Sequence, residues 1–192
     1  LNRQLMAYHN NIGIVKTDEI EKRILSINPK VNIIKITEFI NLDNIEKLFN
    51  YHIDYVIDAS DTIIYKIHLM KECLKRGIKI ISSMGAANKT DPTRFKIVDI
   101  SKTHTDPLAK VIRTKLRKED RITKGIPVVF SDESPIVVRE DVVETVGKPD
   151  AAIRKAKMPP SSNAFVPSVV GLICASWVIN DITKNITINR VQ

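Results

Sequence analysis

The chain has 192 residues, enough for one α/β domain with a real core and short of two. Lysine and arginine outnumber aspartate and glutamate by 30 to 22, and the net charge of +8 fits a polyanionic partner such as RNA or a nucleotide. No apolar run read from the sequence approaches the roughly 18 to 20 residues of a membrane span and no secretory segment is present, so the expectation is a soluble, cytoplasmic protein with no membrane partner.

Ile12, Val15, Ile20, Ile24 and Ile27 recur at mainly helical spacing, and Asn28-Pro29 ends the pattern because a residue before proline avoids the α region. Val31-Asn32-Ile33-Ile34-Lys35-Ile36 reads as a strand, and Asp43 to Phe49 as a short helix opened by a capping aspartate. Tyr55-Val56-Ile57-Asp58 is a brief β-branched run. A 3.6-residue period follows from Ile63 to Arg76 with Gly77 as its stop, and Ile78 to Ser83 reads as a buried strand. Strands alternating with helices at this rhythm predict an open, mainly parallel α/β sheet of Rossmann-like type, with right-handed crossovers and flanking helices. In such sheets ligands sit beyond the carboxyl ends of the strands, which points to Asp58 to Asp61 and Ser82 to Ala87. Phe95 to Ile100 predicts a further strand, and Pro107 to about Lys118 a basic helix with proline in its first turn. Val128 to Phe130 and Ile136 to Val138 are short strand candidates. Arg139 to Ser162 reads as a long loop, and Val166 to Ile182 as an apolar helix.

Only six glycines are present and no two form a G-x-G arrangement, so no phosphate-cradling loop is read within the chain. If the protein uses ATP, its main nucleotide loop and first strand are expected ahead of Leu1. Cys73 and Cys174 lie far apart within apolar helical patterns and form no CxxC pair, which fits a reducing compartment and buried packing. The four histidines show no metal-ligand spacing in sequence and are read as surface or core residues.

Three short motifs suit a triphosphate. Asp58 and Asp61 crowd the carboxyl end of a predicted strand, and hard carboxylate oxygens suit Mg²⁺; the alternative makes Asp61 only the N-cap of the helix that follows. Asn2-Arg3-Gln4 sets a forked cation between two amides, able to grip a phosphate, although arginine near a terminus is usually solvated. Lys16 follows Gly13 in the first helix and is, taken alone, an ordinary surface lysine.

These motifs occur in an order that resembles the MoeB/ThiF superfamily of ATP-dependent adenylating enzymes. The run is Asn2-Arg3-Gln4, Gly13-Ile14-Val15-Lys16, Ser26-Ile27-Asn28-Pro29, Tyr55 through Asp61, and Asp91-Pro92-Thr93. The resemblance implies a homodimer in which Arg3 reaches the partner's ATP phosphates, Lys16 contacts phosphate and Asp61 holds Mg²⁺. Asn2, Gln4 and Asp58 would complete the ATP site. Asp106-Pro107-Leu108-Ala109-Lys110 with Arg113, Val129-Phe130-Ser131 and Ser162 to Pro167 are similar to the branch that dehydrates threonylcarbamoyladenosine in tRNA. By that resemblance, proteins of a cysteine desulfurase system are further candidate partners. The chain then reads as a partial adenylating domain over residues 1–192. Residues 1–100 would be the remainder of the nucleotide-binding core, and 101–192 the basic helix, loop and apolar helix.

The branch acts on tRNA, which singles out Lys110, Arg113, Lys115, Arg117 and Lys118, with Arg121, Lys124 and later Arg154, Lys155 and Lys157, as a track for an RNA backbone. A solvated helix face is the competing reading, and no aromatic residues interleave to stack bases. Two other functions remain open at this point. One is activation of a ubiquitin-like sulfur carrier, and the other a binding protein that keeps the fold without catalysis.

Overall fold

A computed structural model of the chain describes residues 4–136 and 161–186. Four strands form one sheet: β1 (Tyr55–Asp58), β2 (Lys79–Ser83), β3 (Phe95–Asp99) and β4 (Pro127–Ser131), in the order β1-β2-β4-β3. β1, β2 and β4 are parallel, with Asp58 opposite Ser82 and Ser82 opposite Val128, while β3 runs antiparallel to β4 along its whole length. The sheet is therefore open and mixed. β4, from the second half of the chain, lies between two strands of the first half.

Helices α1 (Lys16–Ile27), α2 (Ile63–Arg76), α3 (Pro107–Asp120) and α4 (Phe165–Thr183) accompany the sheet. Strands covered on both faces need consecutive apolar residues, which Ile80-Ile81 of β2 and Val128-Val129-Phe130 of β4 supply. Ile80, Val128 and Phe130 face α2 and α3, in a core with Ile67, Met70, Cys73, Ile112 and Leu116. Ile81 and Val129 point the other way, toward Val166, Val170 and Cys174 of α4. The periodicity of α2 is met by Ile67, Met70 and Cys73 on its buried face. The helix stops where Gly77 takes φ 69°, and Ile78 N–H donates back to the Cys73 carbonyl at 2.9 Å. Below the sheet, Tyr55 OH donates to Asp181 Oδ2 at 2.6 Å and Lys79 pairs with the same carboxylate, pinning α4 to β1 and β2.

Four expectations change. Residues 31–36 form no strand, because a β-branched run becomes one only where a neighbour accepts its hydrogen bonds, and among the described residues β1 pairs only with β2. The short helix after Asp43 is a 3₁₀ segment, Ile45–Asn50. Ile136 is not in a strand, and the rest of that candidate, like Asn2, Arg3 and residues 139–160 of the long loop, lies outside the described residues. Finally, α4 has 19 residues and a mean hydropathy of 1.6, so by length and composition alone it could cross a membrane. One face of it packs on the sheet, while Phe165, Leu172, Ile179 and Ile182 are exposed on the other.

Candidate functional site at the carboxyl ends of the parallel strands

The carboxyl ends of β1, β2 and β4 are held by two buried lysine–aspartate pairs. In the first, Lys66 projects from the opening turn of α2 with a side chain 0% exposed and meets Asp58 Oδ2 at 2.7 Å. Ser82 Oγ donates to the same oxygen at 2.6 Å and accepts from Lys66 Nζ at 3.0 Å. The other oxygen, Oδ1, accepts from the backbone N–H of Ser60 at 3.0 Å and its hydroxyl at 2.6 Å. Both oxygens of Asp58 are thus committed inside the protein. Burial pushes the Lys66 ammonium below its ordinary pKa, and the Asp58 charge opposes that push.

Asp61 has the opposite fate. α2 begins at Ile63 with Thr62 in the cap position and no side chain bonded to the first turn, so Asp61 is not the N-cap. Its carboxylate is exposed and, among the described residues, meets only the Thr62 hydroxyl, at 3.4 Å. It stands at the rim of a cavity of about 370 Å³ lined by Phe39, Ile40, Leu48, Ile57, Ala59 and Tyr65. That volume and apolar lining suit a small ligand with one charged group fixed at its edge. Lys16, at the start of α1, shares a second cavity of about 370 Å³ with Gln4, Tyr8, Asn11 and Glu19. The predicted site residues therefore fall into two groups, Gln4 with Lys16 and Asp58 with Asp61.

In the second pair, Lys89 Nζ donates to Asp106 Oδ2 at 3.2 Å and to the Ser131 carbonyl at 3.1 Å, and its ammonium lies 5.5 Å from the centre of the Phe95 ring. Asp106 also accepts from Gly85 N–H and, as the cap of α3, from Ala109 N–H, each at 2.9 Å. A Cβ on Gly85 would lie 2.8 Å from Asp106 Oδ2, so only glycine admits this approach. Nearby, Asn88 takes φ 57° and accepts from Ile136 N–H at 2.7 Å and Ser161 N–H at 2.9 Å. Ser162 and Asn163 line a smaller cavity of about 280 Å³ there, and Asn163 Oδ1 accepts from Phe165 and Val166 N–H at 2.9 Å.

A scan of known families matches the ThiF family over residues 1–191. The chain belongs to the ThiF family. This ThiF-family chain is 64% identical over 192 residues to the tRNA threonylcarbamoyladenosine dehydratase of Bacillus subtilis, covering all of the chain and 75% of that protein. It is 34% identical to dehydratase 2 of Saccharomyces cerevisiae, covering 95% of the chain and 43% of the yeast protein. Among solved structures it resembles Escherichia coli tRNA N6-threonylcarbamoyladenosine dehydratase in complex with ATP. There the TM-score is 0.78 and the identity 25%, over 94% of this chain and 69% of that one.

Several other polar groups of the ThiF-family chain are already engaged. Arg113 of the basic helix is half-buried and donates to the Thr103 carbonyl at 2.6 Å and to its hydroxyl, so it braces α3. Lys115 is also half-buried, whereas Lys110, Arg117 and Lys118 are exposed. Glu46, His68 and Glu72 bring three ligand atoms within 4.8 Å, a grouping invisible in the sequence spacing. Arg76 bridges both glutamates, at 2.6 and 3.1 Å, and supplies the cation there. Burial pushes the Cys73 and Cys174 thiols up to about 11, which keeps both protonated at neutral pH and fits packing over nucleophilic work.

The sequence reading missed Lys66, Lys89 and the inward role of Asp106, and placed Ser82 at the mouth of the site without its bond to Asp58. A signal for Lys66 was present: with Ile63, Ile67, Met70 and Cys73 it occupies the helical stripe that must face the core.

Proposed function

We propose that this ThiF-family chain belongs to an ATP-dependent tRNA threonylcarbamoyladenosine dehydratase. The observation that carries the reading is the 64% identity to the Bacillus subtilis dehydratase, which extends over all 192 residues of the chain. The free carboxylate of the modified nucleoside attacks the α-phosphate of ATP, pyrophosphate leaves, and an acyl adenylate forms. A group of the ureido side chain then attacks the activated carbonyl and AMP departs, so that the nucleoside closes a ring and loses one water overall. Holding attacker and carbonyl together supplies much of the rate.

Asp61 is the residue suited to a Mg²⁺ ion, since its carboxylate faces outward while that of Asp58 is used up inside. The ion would neutralise charge on the triphosphate. Lys16 and, across a dimer, Arg3 are assigned to the phosphates. The exposed Lys110, Arg117 and Lys118 are assigned to the tRNA backbone. Replacing Lys110 and Arg117 together by Gln should weaken modified and unmodified tRNA alike and reduce the salt slope by about one per lost phosphate contact. An unchanged slope would return α3 to a solvated face. Arg113→Gln should instead lower thermal stability, because the Thr103 carbonyl loses its donor.

Activation of a ubiquitin-like sulfur carrier is the competing use of the same fold. Pyrophosphate release from the full-length gene product, triggered by modified tRNA and not by a carrier protein, separates the two. Release with carrier alone would overturn the dehydratase reading.

A further inference from the structure

We propose that Lys66 is a positioning residue for the adenylation step, acting through Asp58 to present Asp61. The inference rests on the adenylating reading above. A D-x-x-D pair at a strand end offers two carboxylates to one cation. Two neighbouring carboxylates would divide the ion between them or repel each other. The structure removes that ambiguity with a buried ammonium. Lys66, 0% exposed, neutralises Asp58 at 2.7 Å and joins Ser82 to it, tying the ends of β1 and β2 to the first turn of α2. Asp58, so fixed, uses its second oxygen to turn the chain through the N–H and hydroxyl of Ser60. Asp61 follows immediately and is delivered to the rim of the cavity.

A buried lysine is an expensive device, since removing an ammonium from water costs free energy that only close, well-bonded partners offset. Stability alone does not require it. An apolar side chain of similar length would pack the same stripe of α2, and an uncharged residue at 58 could make the same turn. What the ion pair supplies, and an apolar replacement would not, is a carboxylate held away from the metal a few residues from the one that faces it.

The test compares Lys66→Met with the double variant Asp58→Asn/Lys66→Met in the full-length protein. Turnover with modified tRNA is followed across a Mg²⁺ titration at a temperature where each variant is shown folded. Lys66→Met frees Asp58 to compete for the ion or to take up a proton. It should therefore raise the half-saturating Mg²⁺ concentration and lower kcat, each by about tenfold. The double variant removes both charges and keeps an Asx acceptor for Ser60, so it should recover most of both losses. If Lys66→Met keeps the parent's Mg²⁺ response and kcat, the proposal is overturned. Should Lys66→Met not fold, Lys66→Gln, which keeps a donor for Asp58 without the charge, takes its place: a half-saturating Mg²⁺ concentration raised by about tenfold supports action through Asp58, and the parent's Mg²⁺ response overturns it. Calorimetry of Mg²⁺–ATP binding runs beside turnover. A parent that binds Mg²⁺–ATP without acting on tRNA defeats the dehydratase reading, and the Lys66 comparison is then read from the Mg²⁺ dependence of ATP binding by parent and variants.

Discussion

Replacing Asp61 by Asn should lower the adenylation rate by about a hundredfold or more, the scale on which one transition-state electrostatic contact is lost, while leaving the melting temperature unchanged. The two halves of that expectation have separate causes. Stability is spared because Thr62, not Asp61, occupies the cap position of α2, and because the exposed Asp61 carboxylate makes only a 3.4 Å contact. Activity is lost because an amide keeps the shape of the carboxylate but not the charge that a divalent ion on a triphosphate requires. Pyrophosphate release and differential scanning of the same preparations check both halves. Normal turnover by Asp61→Asn would remove Asp61 from the site, and a fall in melting temperature would assign it to the fold.

Asp106→Ala should have the largest effect on stability, about 3 to 5 kcal/mol, because breaking a buried pair leaves the other charge without compensation. Lys89 would keep only the Ser131 carbonyl and the Phe95 ring, and Gly85 and Ala109 would each lose the acceptor of a backbone N–H. For a chain of this length that corresponds to a fall of about 10 °C or more in Tm. Asp106→Asn, which keeps an acceptor for the α3 cap, should fall by less. Gly85→Ala should reproduce part of the loss from the other side, since its Cβ would stand 2.8 Å from Asp106 Oδ2. Calorimetric unfolding of the three variants gives the comparison. An Asp106→Ala protein as stable as its parent would mean that Lys89 finds water or another acceptor.

What the sequence made legible was local. The period of α2, its stop at Gly77 and the proline in the first turn of α3 are contained in a few neighbouring residues, and all three stand as expected. The strand at residues 31–36 failed because pairing depends on a neighbour that no local pattern reports. The reversed direction of β3 and the place of β4 between β2 and β3 are likewise properties of the sheet as a whole. α4 was read as apolar, but its outer face carries Leu172 and Ile179 as exposed residues, so composition understated how little of it the sheet covers.

The site shows the same division. Asp61 was singled out by its position after a strand, and both roles weighed for it were local; the structure removes the cap. Asp58 looked equivalent, and only contacts reaching across the fold to Lys66 and Ser82 set the two aspartates apart. Arg113 shows a contact of the same kind, since its bond to Thr103, 10 positions earlier, is not legible from the charge pattern of the helix. Lys89 and Asp106, 17 positions apart in sequence, share no local pattern that would pair them.

The central claim is that the chain serves ATP-dependent ring closure on threonylcarbamoyladenosine in tRNA. The most direct test is the mass of that nucleoside, digested from tRNA incubated with the full-length gene product, ATP and Mg²⁺. The account predicts that the nucleoside loses the mass of one water, only when ATP is present, with AMP and pyrophosphate formed in equal amounts. An unchanged nucleoside beside ATP consumption that needs a carrier protein would contradict it.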